Sequence, residues 1–142
     1  MIYFDTAYLS RLYLEDTGWE PVRALAQTDR VGCCLHGRAE TIAAFHRKHR
    51  EGWLDQTDLR ALIEQFDGDC AGGGYQWLPL SELVMVRLSQ VFALLPKTIP
   101  LRSADAIHLA CAAENACKNI FSNDARVLDA ASYFGLKGVN VI

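Results

Sequence analysis

Four carboxylates set far apart in the chain, Asp5, Glu40, Asp105 and Asp124, stand in settings that could carry metal chemistry. Asp105 is the most telling of them. From Ser103 to Ala113 it is the only residue formally charged at neutral pH. A segment apolar on nearly every side is a buried helix, and its face through Leu101, Asp105, Leu109 and Ala112 puts a carboxylate toward the protein interior. An ionised carboxylate there costs several kcal/mol unless a cation or good hydrogen bonds compensate it. A first-turn acid favoured by the helix dipole, with Ser103 as cap, accounts for its place in the helix but not for its apolar neighbours.

The other three are weaker when taken singly. Asp5 and Asp124 are preferred helix-capping types, and capping alone explains each. Glu40, in Arg38-Ala39-Glu40-Thr41-Ile42-Ala43-Ala44, reads alone as a solvated partner of Arg38 or Arg47. The small apolar Ala43 and Ala44 one turn on point to a partly buried face. Together the four mean more. Converging carboxylates repel one another unless a cation sits among them, and oxygen-only ligands favour Mg²⁺ or Mn²⁺ over zinc. Such an ion can activate a water and stabilise charge on a phosphoryl oxygen, so no Cys or His nucleophile is required.

Positioning these acids requires alternating strands and helices. Residues 2–4 read as a short buried strand ending on Asp5, and Thr6–Leu14 as a helix with Tyr8, Leu9, Leu12 and Tyr13 at helical spacing. A helix is expected from Pro21 to Thr28, a strand over Arg30–Cys34, and a basic-ended helix over 35–50. Asp55–Phe66 carries a helical stripe, and Gly68–Gly74 reads as a loop lacking the Gly-Lys-Ser/Thr of a phosphate loop. Then follow a strand over Tyr75–Leu78, helices over Ser81–Leu95 and Ser103–Ala116, a strand over Asn119–Ser122, a helix over Asp124–Phe134 and a strand over Gly138–Val141. This is an α/β layer fold with a mostly parallel central sheet flanked by helices. In such sheets the functional crevice lies beyond the carboxyl ends of the strands, where Asp5 and Ser122-Asn123-Asp124 would meet.

Composition agrees. At 142 residues, with 51% hydrophobic and 22% charged residues, one domain over 1–142 is expected. No apolar run reaches membrane-spanning length, no basic region precedes an apolar one at the start, and a cytoplasmic protein is the expectation. Five cysteines, two of them the adjacent Cys33 and Cys34, lack the spacing of a disulfide framework or a zinc ribbon. The net charge of −3 argues against general polyanion binding but not against an acidic, metal-holding site.

The opening Met1-Ile2-Tyr3-Phe4-Asp5-Thr6-Ala7-Tyr8-Leu9, the central Leu101-Arg102-Ser103-Ala104-Asp105-Ala106-Ile107-His108-Leu109-Ala110 and the later Ser122-Asn123-Asp124 resemble, in order, the motifs of PIN-domain ribonucleases. Within these the chain is similar to the VapC toxins of bacterial toxin–antitoxin pairs, and Glu40 falls where that family has its helical glutamate. The resemblance implies a three-layer PIN-like fold and a metal-dependent endoribonuclease acting as a toxin. It implies Asp5, Glu40, Asp105 and Asp124 as catalytic, Mg²⁺-binding residues (Mn²⁺ as an alternative), supported by Thr6 and Ser122. It also implies RNA as substrate, a cognate antitoxin and a homodimer. Ala7 departs from the family, which commonly has a small hydroxyl residue there. The alternative is a catalytically weak PIN-like module that binds RNA or protein without cleaving. Other phosphoryl-transfer folds fit poorly: a haloacid-dehalogenase-type phosphatase needs a second Asp where Ala7 stands, and a receiver domain needs an acidic pair near its first strand.

Several further residues divide between function and packing. Arg47, Lys48 and Arg50 could contact RNA phosphates or an acidic antitoxin stretch, although with no aromatic interleaved a solvated helix end explains them somewhat better. His108, one turn from Asp105, reads as a core-edge histidine. Trp19, Trp53 and Trp77 are scattered and read as packing residues.

Overall fold

Five short strands lie side by side in one sheet in the order β3-β2-β1-β4-β5, and all four pairings are parallel. In the computed structural model, which describes residues 1–142, these are β1 (Ile2–Phe4), β2 (Val31–Cys34), β3 (Gln76–Leu78), β4 (Asn119–Phe121) and β5 (Lys137–Val139). Parallel strands covered on both faces read as continuous apolar runs rather than alternating ones. Tyr3, Phe4 and all four residues of β2 are accordingly buried. The flanking helices are α1 (Thr6–Ser10), α2 (Trp19–Ala26), α3 (Leu35–Arg50), α4 (Gln56–Ala71), α5 (Glu82–Leu94), α6 (Ser103–Glu114) and α7 (Ala125–Ala130). The arrangement is the three-layer α/β fold expected.

Helix α6 is the pivot. Ala106, His108, Leu109, Ala110, Cys111 and Ala112 are all buried, and the helix packs on β2 and β4 and against α5 and α7. Its small residues permit that close approach. Beneath α3 and α4, Phe45, Phe66 and Tyr13 meet edge to face with ring centroids 5.4–5.8 Å apart, the arrangement aromatic quadrupoles favour.

Three elements depart from the sequence reading. Helix α4 runs through Gly68 to Ala71 rather than ending at Phe66. A capping box between Asp55 and Asp58 starts it, and the fully buried Phe66 anchors its last turns, which offsets the helix cost of one glycine, about 1 kcal/mol. The first helix stops at Ser10, and turns carry the chain to Leu14, whose N–H donates to the Ser10 carbonyl at 2.9 Å. The segment after Asp124 divides into α7 and a 3₁₀ turn over Ala131–Phe134, closed by Gly135 at φ 75°, a left-handed conformation that glycine adopts without strain. Trp53 is also no packing residue, being 76% exposed. No helix is long and apolar enough to cross a membrane.

Candidate active site

Strand β1 pairs with β2 on one side and β4 on the other, so the chain order reverses direction at the β1–β4 pair. In a parallel α/β sheet the crevice beyond the carboxyl ends opens at this point. Asp5 follows β1 directly and Asp124 lies three residues beyond β4. The Asp5 N–H donates to the Phe121 carbonyl at 3.1 Å, which ties the two strand ends together. Both aspartates also cap the helices they precede: Asp5 Oδ1 accepts from Tyr8 N–H at 2.9 Å and Asp124 Oδ1 from Arg126 N–H at 2.9 Å. Capping therefore does not keep either carboxylate from lining the cleft.

Asp5 is 5% exposed and no cationic side chain pairs with it within 4 Å. Burial raises its pKa, opposed by a hydrogen bond from Ser122 and by the nearby His108. The fully buried Ser122 also accepts the Asp124 N–H at 2.9 Å, so one hydroxyl serves both acids.

Asp105 and Asp124 are paired differently. Arg102 places Nε 3.0 Å from Asp105 Oδ2 and Nη2 3.3 Å from Oδ1, and reaches Asp124 at 3.5 Å. Arg126 donates from Nη2 to Asp124 Oδ2 at 2.7 Å. Partial burial alone would raise the Asp124 pKa, but the hydrogen bonds from Arg126 pull it below the usual range. Two guanidiniums thus bridge two carboxylates, and the acids of the cleft do not themselves close into a tight ligand cluster.

Glu40 comes from α3. Its Oε2 accepts from Thr6 Oγ1 at 2.6 Å and from His108 Nε2 at 2.8 Å. Burial would raise its pKa, but these two donors hold it down at about 2. His108 is 4% exposed, and its other nitrogen, Nδ1, faces Tyr3 Oη at 3.0 Å and Cys34 Sγ at 3.5 Å. Burial disfavours its charge, yet Cys34 and Glu40 raise its pKa. This chain of contacts, Tyr3–His108–Glu40–Thr6, holds one carboxylate in place from β1, α6 and α1 together.

The four acids line one cleft of about 620 Å³, together with Thr6, Ser10, Arg47, Arg50, Arg102, His108 and Arg126. Arg47 and Arg50 lie on its wall. Lys48 does not: it donates to Asp16 at 2.6 Å and stacks 5.8 Å from the Trp53 ring, because it projects from a different side of the same helix. Sequence reasoning missed Arg102, Arg126 and the buried side of His108. Arg102 stands three residues before Asp105, a spacing at which helix neighbours meet, so that pair had a local signal. Arg126 stands two residues after Asp124 and had a local signal as well; only the buried contacts of His108 are joined by the fold alone.

The sequence matches the PIN domain family over residues 2–132. No curated protein sequence matches the chain. Among solved structures the chain resembles FitAcB from Neisseria gonorrhoeae, with a TM-score of 0.78, 17% identity and coverage of 99% of this chain and 97% of that one. It also resembles FitAB bound to an IR36 DNA fragment (TM-score 0.75, 17% identity, 99% and 94% covered). VapBC2 from Rickettsia felis, bound to a DNA fragment from its promoter, has a TM-score of 0.67 at 13% identity, with both chains fully covered. At such identities the structures establish a shared fold, and the family match over nearly the whole chain establishes descent: this chain belongs to the PIN domain family.

Proposed function

We propose that the protein is a metal-dependent endoribonuclease acting as the toxin of a toxin–antitoxin pair. One observation carries the reading: Asp5, Glu40, Asp105 and Asp124, from four separate parts of the chain, line a single cleft at the switch point of a parallel sheet. The donor set is all oxygen, and Asp5 is a buried carboxylate that no salt bridge holds. Both features suit a hard divalent ion such as Mg²⁺ or Mn²⁺. Asp5, Asp105 and Asp124 would hold it, with Glu40 beside them. When bound, the ion supplies charge stabilisation at a phosphoryl oxygen and an activated water.

The chain's own groups do the rest. Thr6 and His108 fix the Glu40 carboxylate and keep it ionised, so it faces the cleft as an oriented hydrogen-bond acceptor. Arg47, Arg50, Arg102 and Arg126 give an acidic floor a basic rim suited to a phosphodiester backbone. Arg126 Nε lies 3.7 Å from Asp105 Oδ2, beyond hydrogen-bond length, so the guanidinium holds that acid by charge alone.

The named neighbours include a toxin–antitoxin complex from Klebsiella pneumoniae, 16% identical with a TM-score of 0.66. This likeness supports an antitoxin partner here, and the exposed apolar Leu83, Val86 and Leu94 of α5 suit a homodimer contact. The test is cleavage of a mixed RNA pool by purified protein with Mg²⁺ or Mn²⁺, with EDTA, and with Asp105→Asn. Cleavage that needs metal and disappears in the variant is expected. RNA binding without metal-dependent cleavage would replace this reading with the non-cleaving module.

A further inference from the structure

Behind the acidic cleft, on the far side of the His108 ring, lies a group the nuclease reading does not use. Cys33 and Cys34 close β2, and both are fully buried, as is nearly all of His108. Cys34 Sγ is 3.5 Å and Cys33 Sγ 4.0 Å from His108 Nδ1, and the three donor atoms lie within 4.8 Å of one another. We propose that Cys33, Cys34 and His108 Nδ1 form a second metal site, for a thiophilic divalent ion such as zinc, distinct from the carboxylate cleft.

Geometry and ligand chemistry agree on this. Zinc bonds to sulfur and imidazole nitrogen imply tetrahedral S···N separations of roughly 3.6 Å, and the observed separations fall on either side of that value. Two thiolates and a neutral imidazole carry two negative charges, so a divalent ion makes the buried cluster neutral. That balance removes the desolvation cost of a buried net charge. Soft sulfur donors exclude Mg²⁺ here, just as the all-oxygen set across the ring disfavours zinc there. The Tyr3 hydroxyl, 3.0 Å from the same nitrogen and accepting the Cys34 N–H at 3.1 Å, offers a neutral oxygen donor that completes the shell without altering that charge balance.

Two further features fit a built site. His108 Nε2 donates to Glu40 Oε2 at 2.8 Å, the carboxylate–histidine arrangement that orients imidazole ligands and fixes which nitrogen faces the metal. Gly37, in the first turn of α3, faces the cluster. A Cβ there would collide with Cys33 Sγ and stand 3.0 Å from His108 Cε1, so a residue without a side chain leaves room for the donors.

The assignment does not rest on the nuclease reading, and its test is spectroscopic. The whole protein is refolded under reducing conditions with one equivalent of Co²⁺, Cd²⁺ or Zn²⁺, because burial could slow entry into the folded chain. One equivalent should bind, with sulfur-to-metal charge-transfer absorption and the intense visible bands of tetrahedral Co²⁺. Cys34→Ala and Gly37→Ala should each lose that absorption, and Glu40→Gln should weaken Zn²⁺ binding by about tenfold. Asp5→Asn and Asp124→Asn should keep the absorption. A folded wild-type protein without charge-transfer absorption overturns the site, whatever the variants do. So does Co²⁺ or Zn²⁺ binding that survives Cys34→Ala and vanishes in Asp5→Asn, since the ion would then sit among the carboxylates.

Discussion

His108 and Glu40, 68 residues apart, are joined by a 2.8 Å hydrogen bond from Nε2 to Oε2, and this contact separates the acidic cleft from the sulfur cluster behind it. The bond is made at the cleft wall, with the ring buried and the carboxylate partly exposed. His108→Ala would leave Tyr3, Cys34 and Glu40 short of a partner. We expect a loss of about 1–3 kcal/mol in folding stability, the range for an orphaned buried polar group, read from denaturant unfolding. Cleavage should fall with it through kcat rather than KM, because Glu40 would remain in the cleft without its fixed orientation. Unchanged stability and turnover would show that the contact positions nothing.

That pair also marks where sequence reading reaches its limit. Asp5 and Asp124 were legible because each follows a short apolar strand, and strand ends in a parallel sheet share one edge. Asp105 was legible because it is the sole charge in an apolar helix. The Glu40–His108 bond has no such signature, since it joins residues whose spacing is set by the packing of α3 and α6 on β2. Gly68–Gly74 misled in the opposite direction: glycines suggest a loop locally, yet the buried Phe66 and the cap at Asp55 extend the helix across the first of them. Cys33 and Cys34 carried no recognised metal spacing, because their third companion lies on another element.

Asp5 should be a burden on the metal-free protein. Its carboxylate is buried, its pKa is raised by that burial against the weaker pull of His108 and Arg11, and no salt bridge neutralises it. Asparagine retains the capping oxygen that accepts from Tyr8 N–H. In EDTA, Asp5→Asn should therefore be at least as stable as the wild type. With millimolar Mg²⁺ the wild type should gain stability by mass action while the variant gains little, and the variant should lose cleavage. Thermal unfolding of both proteins with and without Mg²⁺ checks this. A variant that loses stability in EDTA and keeps its Mg²⁺ response would remove Asp5 from the metal site.

Arg102 is 60% exposed at its side chain while bridging Asp105 and Asp124. Solvent screens an exposed pair of this kind, so Arg102→Ala should change stability little. It should nevertheless tighten Mg²⁺ binding, because it removes a cation that competes for the same oxygens. RNA binding should weaken, with the salt dependence of log K falling by about 0.7 if one phosphate contact is lost. Calorimetric Mg²⁺ titration and RNA affinity at several salt concentrations separate the two effects. Weaker Mg²⁺ binding in the variant would instead make Arg102 an organiser of the acids.

At the far end of the sheet, Tyr13 and Tyr75 share a short hydrogen bond, and Tyr13 donates to Asp69 Oδ2 at 2.7 Å. Burial comes first among the causes that raise both phenols, Tyr75 to about 12 and Tyr13 further still. The folded state thus favours neutral phenols that the unfolded chain would ionise near pH 10. Their contribution to stability is complete below that pH and is lost as the pH rises toward 12. Alkaline unfolding should begin above about pH 10, with phenolate absorption from these two rings appearing together with the loss of circular dichroism. Tyr13→Phe, which cannot ionise, should move the alkaline midpoint to higher pH even though it gives up the bond to Asp69. If all phenolate absorption were complete by about pH 10 in a chain that stays folded, the two hydroxyls would be as accessible as free tyrosine and the cluster would contribute nothing to alkaline stability.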